Sequence, residues 1–165
     1  MTLRIRRRAE GVPFIHPMDP IPRTAVLAPG FLQTKLVHVF PTGWNEEAAR
    51  FQPTSIAGTV DRLRRLTSHK LDLRHAVIVF TYEGQAGLAD EDRELFWKAF
   101  GVPVFEQRLG PGNELLAMEC DAHAGLHVVG DFSNLRLDRN SCACGNPAPR
   151  LSLPPRITEL ADMLA

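Results

Sequence analysis

Apolar and polar positions follow two rhythms along this chain, and each rhythm marks a kind of element. Unbroken apolar runs rich in β-branched residues read as strands buried on both faces. Leu36-Val37-His38-Val39-Phe40 is one, ended by Pro41-Thr42-Gly43. Ala76-Val77-Ile78-Val79-Phe80 is another, followed by a loop at Thr81-Tyr82-Glu83-Gly84. Thr24-Ala25-Val26-Leu27-Ala28, closed by Pro29-Gly30, is a shorter candidate. His38 reads as a core histidine. Between these runs the apolar spacing becomes helical. Asn45 is a candidate N-cap with Glu46 and Glu47 in the first turn. A second helix is expected after Pro53-Thr54, carrying Ile56, Val60, Leu63 and Leu66, with Arg62, Arg64 and Arg65 on a solvated opposite face. A third, over 90–100, turns Leu95, Phe96 and Phe100 inward and is closed by Gly101. Val102-Pro103-Val104-Phe105 then starts another strand.

This alternation is that of an α/β fold: a partial Rossmann-like parallel sheet with crossover helices. Residues 115–137 read instead as antiparallel strands, the beginning of a small zinc-knuckle region. A short helix after Pro154-Pro155, bearing Ile157, Leu160 and Leu164, ends the chain. Residues 1–32, rich in proline, suit an extended arm, leaving 33–165 as one α/β domain with a metal site at 119–150. The 165-residue length fits a single core.

Charge narrows the function. Acidic and basic residues balance to a formal net charge of zero, which argues against a nucleic-acid binder. The basic cluster Arg4, Arg6, Arg7 and Arg8 reads as a solvated terminus. No apolar run reaches membrane-spanning or signal-peptide length, so a cytoplasmic protein without a membrane partner is expected.

The three cysteines carry the clearest chemistry. An odd number suits a metal in a reducing compartment better than a disulfide framework. Cys120 falls near the end of an expected strand, and the turn at Ala124-Gly125 brings His127 back toward it. Cys142-Ala143-Cys144-Gly145 reads as a knuckle whose two thiolates converge while Gly145 lets the backbone turn beneath them. The expected set is Cys120, His127, Cys142 and Cys144 around a structural Zn²⁺, with His123 a substitute ligand or a partner behind the ligands. Elsewhere, ligands of open α/β sheets gather at the carboxyl ends of parallel strands, here the loops 81–87 and 106–113. Glu83 and Glu106 are the carboxylates there, available for acid/base work or Mg²⁺ or simply solvated.

Several of these stretches together resemble the phenylacetate-coenzyme A ligase group of adenylate-forming enzymes and its capsule-biosynthesis relatives. The resemblance covers roughly 71–151 and, more weakly, 36–70. It rests on Leu71-Asp72-Leu73-Arg74 before a strand, Tyr82-Glu83-Gly84 at the adenine loop, and Phe100-Gly101-Val102-Pro103-Val104-Phe105. Glu119-Cys120, Gly125-Leu126-His127-Val128 and Cys142-Ala143-Cys144-Gly145 look like the group's Glu-Cys, Gly-Leu-His-Val and Cys-x-Cys-Gly elements. The resemblance implies that Tyr82 and Glu83 touch adenine and ribose, with Glu106 near the metal-phosphate end, and that ATP, AMP or acyl-CoA is the ligand.

The departures bear on activity. The group's Ser/Thr/Gly-rich phosphate loop has no counterpart, and Lys35, Lys70 and Lys98 lie in no context matching its catalytic lysine. Where the group has Tyr-Gly-x-Ser/Thr-Glu, this chain reads Gln107-Arg108-Leu109-Gly110-Pro111, and Gly84 replaces the adenine-loop proline. Acyl adenylation requires positioned phosphates and neutralised charge. The chain is therefore expected to be part of a ligase's large domain, not catalytic alone, acting as a homodimer or with a ligase-like partner, with an exposed sheet edge covered by the proline-rich arm, a second copy or a partner protein. The alternatives are a subunit of a split acyl-CoA ligase and a sensor that binds nucleotide or acyl-CoA without turnover.

Overall fold

The run from 76 to 82 forms the central strand of the sheet because each of its faces meets a different apolar layer. In this computed structural model, which describes residues 11–130 and 136–151, β4 (Ala76–Tyr82) sends Val77 and Val79 to one side and Ala76, Ile78 and Phe80 to the other. Around it lie β1 (Thr24–Val26), β2 (Val37–Val39), β3 (Ser55–Thr59) and β5 (Val104–Leu109), all parallel, in the order β2-β1-β3-β4-β5. β6 (Leu115–Glu119) then reverses direction. β7 (Leu126–Val128), β9 (Arg150–Leu151) and β8 (Leu137–Asp138) complete a nine-stranded mixed sheet. The parallel half and the antiparallel half meet where the sequence changes rhythm.

Three helices, α1 (Glu46–Phe51), α2 (Val60–Leu66) and α3 (Asp90–Phe100), supply Ala48, Phe51, Leu63, Leu66, Phe96 and Phe100 to a single core layer with Ala25, Ile56, Val77 and Val79. Among the described residues, the opposite layer receives none from a helix. It is closed by Phe14 and Phe31, which pack edge-on at 6.1 Å and both rest on Phe80. His16 bonds Ser55 Oγ beneath this cover, and the Gln107 amide donates to Ile15 O at 2.6 Å. So Phe14 and Phe31 cover one sheet face, while the Thr24–Val26 stretch between them in sequence is a strand lying between β2 and β3.

Four sequence expectations change here. Ile56 lies on β3, not on a helix; Ser55 to Gly58 are buried on both sides, so the spacing from Ile56 to Val60 is not that of one helical face. Leu95 is 39% exposed, because Asp92, Phe96 and Phe100, four residues apart, form the inward stripe of α3. The arginines of α2 are not simply solvated: Arg62 caps Leu27 O and Pro41 O, and Arg64 makes a two-pronged pair with Asp92 at 2.8 and 2.9 Å. Residues 106–109 continue β5 instead of opening a loop.

The expected helix ends hold. Asn45 Oδ1 accepts the Ala48 N–H at 2.9 Å, and Gly101 ends α3 at φ 66°. His38, expected in the core, is instead half-buried, its ring stacked on Phe51 with ring centres 4.0 Å apart. The arginine cluster at 4–8 and the stretch expected to form a helix with Ile157, Leu160 and Leu164 lie outside the described residues. No helix among the described residues is long and apolar enough to cross a membrane.

Candidate metal centre

Pairing of β6 with β7 sets Met118 opposite His127 and Glu119 opposite Leu126, so the residue just past β6, Cys120, ends beside the β7 histidine. The knuckle approaches from the other direction. Gly145 N–H closes a tight turn on Cys142 O at 3.0 Å, with φ of 80° at Gly145, a backbone conformation that glycine adopts without strain. The turn carries both knuckle sulfurs toward the strands.

The resulting four ligand atoms all lie within 4.8 Å of one another. Cys120 Sγ is 3.6 Å from Cys142 Sγ, and Cys144 Sγ is 3.3 Å from His127 Nε2. Sulfurs about 2.3 Å from a tetrahedral ion stand about 3.8 Å apart, and a sulfur and an imidazole nitrogen about 3.5 Å. The two separations match the edges of such a tetrahedron to within a few tenths of an ångström. The Cys120–Cys142 separation is also too long for a disulfide. The set could therefore hold a metal ion.

His127 is prepared for that task. It is 2% exposed, and its Nδ1 donates to Ala148 O at 2.8 Å, which places the proton on Nδ1 and leaves the Nε2 lone pair toward the sulfurs. The thiols differ in their surroundings. Burial pushes Cys120 up to about 11, whereas the Cys144 backbone N–H holds Cys142 down to about 6. A cation among them favours thiolate at every position.

His123, open in the sequence as substitute ligand or supporting group, turns away from the sulfurs. Its Nδ1 meets Glu119 Oε1 at 2.8 Å and its ring packs 5.0 Å from that of Phe105. What links it to the site is backbone: His123 N–H donates to Cys120 O at 2.9 Å. Two supports were not visible in the sequence. Arg150 donates to Ala124 O and to Asp138 Oδ2, clamping the turn before His127 to β8. Glu119, 4% exposed, accepts from Arg93 at 3.0 Å and from Glu106 N–H at 2.8 Å, which fixes the end of β6 just ahead of Cys120. Both join residues far apart in sequence, and nothing in the local pattern marks them.

Tyr82, Glu83 and Glu106 do not converge. Tyr82 lies on the arm-covered side of the sheet, where its hydroxyl donates to Asn113 Oδ1 at 3.2 Å. Glu106 lies on the helical side, 5% exposed, with Oε1 accepting the Thr81 hydroxyl at 2.7 Å and the Leu88 N–H at 3.1 Å. Glu83 is exposed beyond β4. At the carboxyl ends of the parallel strands, Arg108 already holds Tyr82 O and Gln85 O, as Arg62 holds Leu27 O and Pro41 O.

No protein-family profile matches the chain, and no curated protein does. Among solved structures the fold is similar to that of a 2-hydroxyisobutyryl-CoA ligase, crystallised in an open conformation in complex with 2-HIB-AMP and CoA. The TM-score is 0.58 at 14% identity, over 81% of this chain and 44% of the ligase chain. At that identity the likeness is one of fold, and this chain spans less than half the ligase's length.

Proposed function

We propose that this chain is a zinc-binding α/β module built on part of an adenylate-forming ligase fold, not catalytic by itself and acting as a homodimer or with a partner protein. The observation that carries the reading is the gathering of the ligand atoms of Cys120, His127, Cys142 and Cys144 within 4.8 Å of one another, with the His127 Nδ1–H donated to Ala148 O so that Nε2 is free to bind a metal. A closed set of three thiolates and one imidazole leaves no position for a substrate, which is the pattern of structural zinc. The ion would fasten the knuckle to β6 and β7, a region whose own apolar cluster is small: Ala117, Leu126 and Val128, with Leu137 and Leu151 against them. Thiolate ligation suits a reducing compartment, in keeping with a cytoplasmic protein.

The reading as non-catalytic rests on the strand ends. Tyr82 and Glu106 are on opposite sheet faces, and Leu27 O, Pro41 O, Tyr82 O and Gln85 O at the strand ends are bonded to Arg62 and Arg108. Elemental analysis of the untagged protein together with its native mass tests the proposal. One zinc per chain in a dimer or a partner complex supports it; metal-free monomer refutes it.

The second reading, a subunit of a split acyl-CoA ligase that binds ATP or an acyl-adenylate with another chain, draws on the fold likeness to a ligase holding 2-HIB-AMP and CoA. ATP-pyrophosphate exchange separates the two. The isolated chain is expected to show none with aryl or alkyl acids, and exchange regained on adding a second chain would favour the split enzyme.

A further inference from the structure

Beside the metal set, but formed by the other residue of each neighbouring pair, a cleft of about 600 Å³ opens between α3 and the β5–β7 part of the sheet. Glu119 and Leu126 line it, while their chain neighbours Cys120 and His127 belong to the metal set. Its volume falls in the range of small-molecule sites, and Leu88, Trp97, Pro103 and Leu126 give it apolar walls.

Three features go beyond what folding needs. His123 sits at φ 49°, a left-handed conformation that costs a non-glycine residue on the order of 1 kcal/mol. Its half-exposed ring is aimed by the buried Glu119, itself fixed by Arg93 and the Glu106 N–H, so that Nε2 is the ring atom left without a partner among the described residues. Glu106 is 5% exposed with Oε1 doubly bonded, yet Oε2 has no partner among the described residues. Trp97, 54% exposed, presents its indole at the rim.

Charge selects the ligand. The lining carries the carboxylates of Glu106 and Glu119 against one guanidinium, Arg93, whose two terminal nitrogens are engaged by Val104 O and Glu119 Oε2. A guest that brings positive charge meets acidic excess and an exposed indole face. The geometry points to a binding site for a small organic ammonium on an apolar body, its nitrogen on Glu106 Oε2 and its body against Trp97 and Leu126. The site does not depend on which metal the cysteines hold.

The experiment uses the full chain carrying Trp44→Phe, which leaves Trp97 as the one indole. It is titrated with phenethylammonium and, separately, with hydrocinnamate, an anion of similar size. The ammonium is expected to change Trp97 emission saturably, and the anion to bind at least about tenfold more weakly. Glu106→Gln should weaken the ammonium about tenfold. Because Glu106 also ties β5 to Leu88, a second variant, Trp97→Ala at a half-exposed position, is measured by calorimetry and should weaken it about threefold. No saturable binding of the ammonium, equal or tighter binding of the anion, or unchanged affinity in the folded variants would overturn the assignment.

Discussion

Cys144 Sγ stands 3.3 Å from His127 Nε2, while the opposite nitrogen of the same ring holds Ala148 O at 2.8 Å. One imidazole thus joins the knuckle loop to β7 by two routes, through a ligand pair and through a backbone carbonyl. Cys142→Ser and Cys144→Ser are each expected to release the metal and lower stability by several kcal/mol, because structural zinc affinity is folding free energy. His123→Ala should keep full metal stoichiometry, since its ring faces Glu119. Zinc content by elemental analysis and thermal melts decide it: full zinc in Cys142→Ser, or lost zinc in His123→Ala, contradicts the ligand set.

Glu119 gives a sharper stability test. Its carboxylate is 4% exposed and serves Arg93, His123 and the Glu106 N–H at once. Glu119→Gln keeps the shape and loses the charge, so a cost of about 2–4 kcal/mol in urea unfolding is expected. The loss should show in the unfolding midpoint while zinc content stays at the wild-type value. A change below about 0.5 kcal/mol would mean that the pair is solvated in solution.

His16 predicts a pH dependence. Ser55 Oγ donates to Ala76 O, so it accepts from His16 Nε2–H, and His16 Nδ1 accepts the Met18 N–H. Both nitrogens are satisfied only in the neutral ring, and burial holds the group down to about 4 from its ordinary 6.5. Between those values the unfolded chain binds the proton that the folded chain refuses. Stability from this group is therefore complete above about pH 6.5 and is lost as pH falls to about 4, by up to about 3 kcal/mol. The difference between wild type and His16→Gln isolates the effect from acid release of metal. Parallel stability curves over pH 4–6.5 would exclude it.

Helix ends supply a fourth test. Asn45→Ala removes the bond to Ala48 N–H and should cost about 1 kcal/mol. At Gly101, φ is 66° and an added Cβ would meet nothing within 4 Å, so Gly101→Ala should cost about 1 kcal/mol through backbone strain alone. Gly101→Asn should recover part of it, because asparagine tolerates that conformation. If Asn is no better than Ala in chemical denaturation, the left-handed turn is not what limits the position.

These two termini were legible because a cap is written within a few residues, and the same holds for the metal set. Cys120, His127, Cys142 and Cys144 are soft donors in two short clusters, a composition that marks them in the sequence although strand pairing across 22 residues is what brings the clusters together. Ile56 was misplaced for the converse reason. A strand buried on both faces has no polar side to set its period, so helix-like spacing to Val60 arises without a helix. Arg93–Glu119 and Arg62–Leu27 join residues 26 and 35 apart, information that only the packed sheet contains. His123 could not be told from His127 as a ligand by spacing; the deciding fact is that Glu119 claims its ring.

β2, the strand at one edge of the sheet, ends the order of strands by its own means. Leu36 O and Phe40 N bond to β1, so Val37 and Val39 direct their backbone groups away from the sheet. Thr34 takes Val37 N–H on its hydroxyl and gives its own N–H to Val37 O, and Gln33 Oε1 takes Val39 N–H at 3.1 Å. The loop that leads into the strand thus occupies the positions another strand would use. A sheet closed off in this way offers little template for growth, so a copy of the chain or any other polypeptide that docks at this end must do so through side chains.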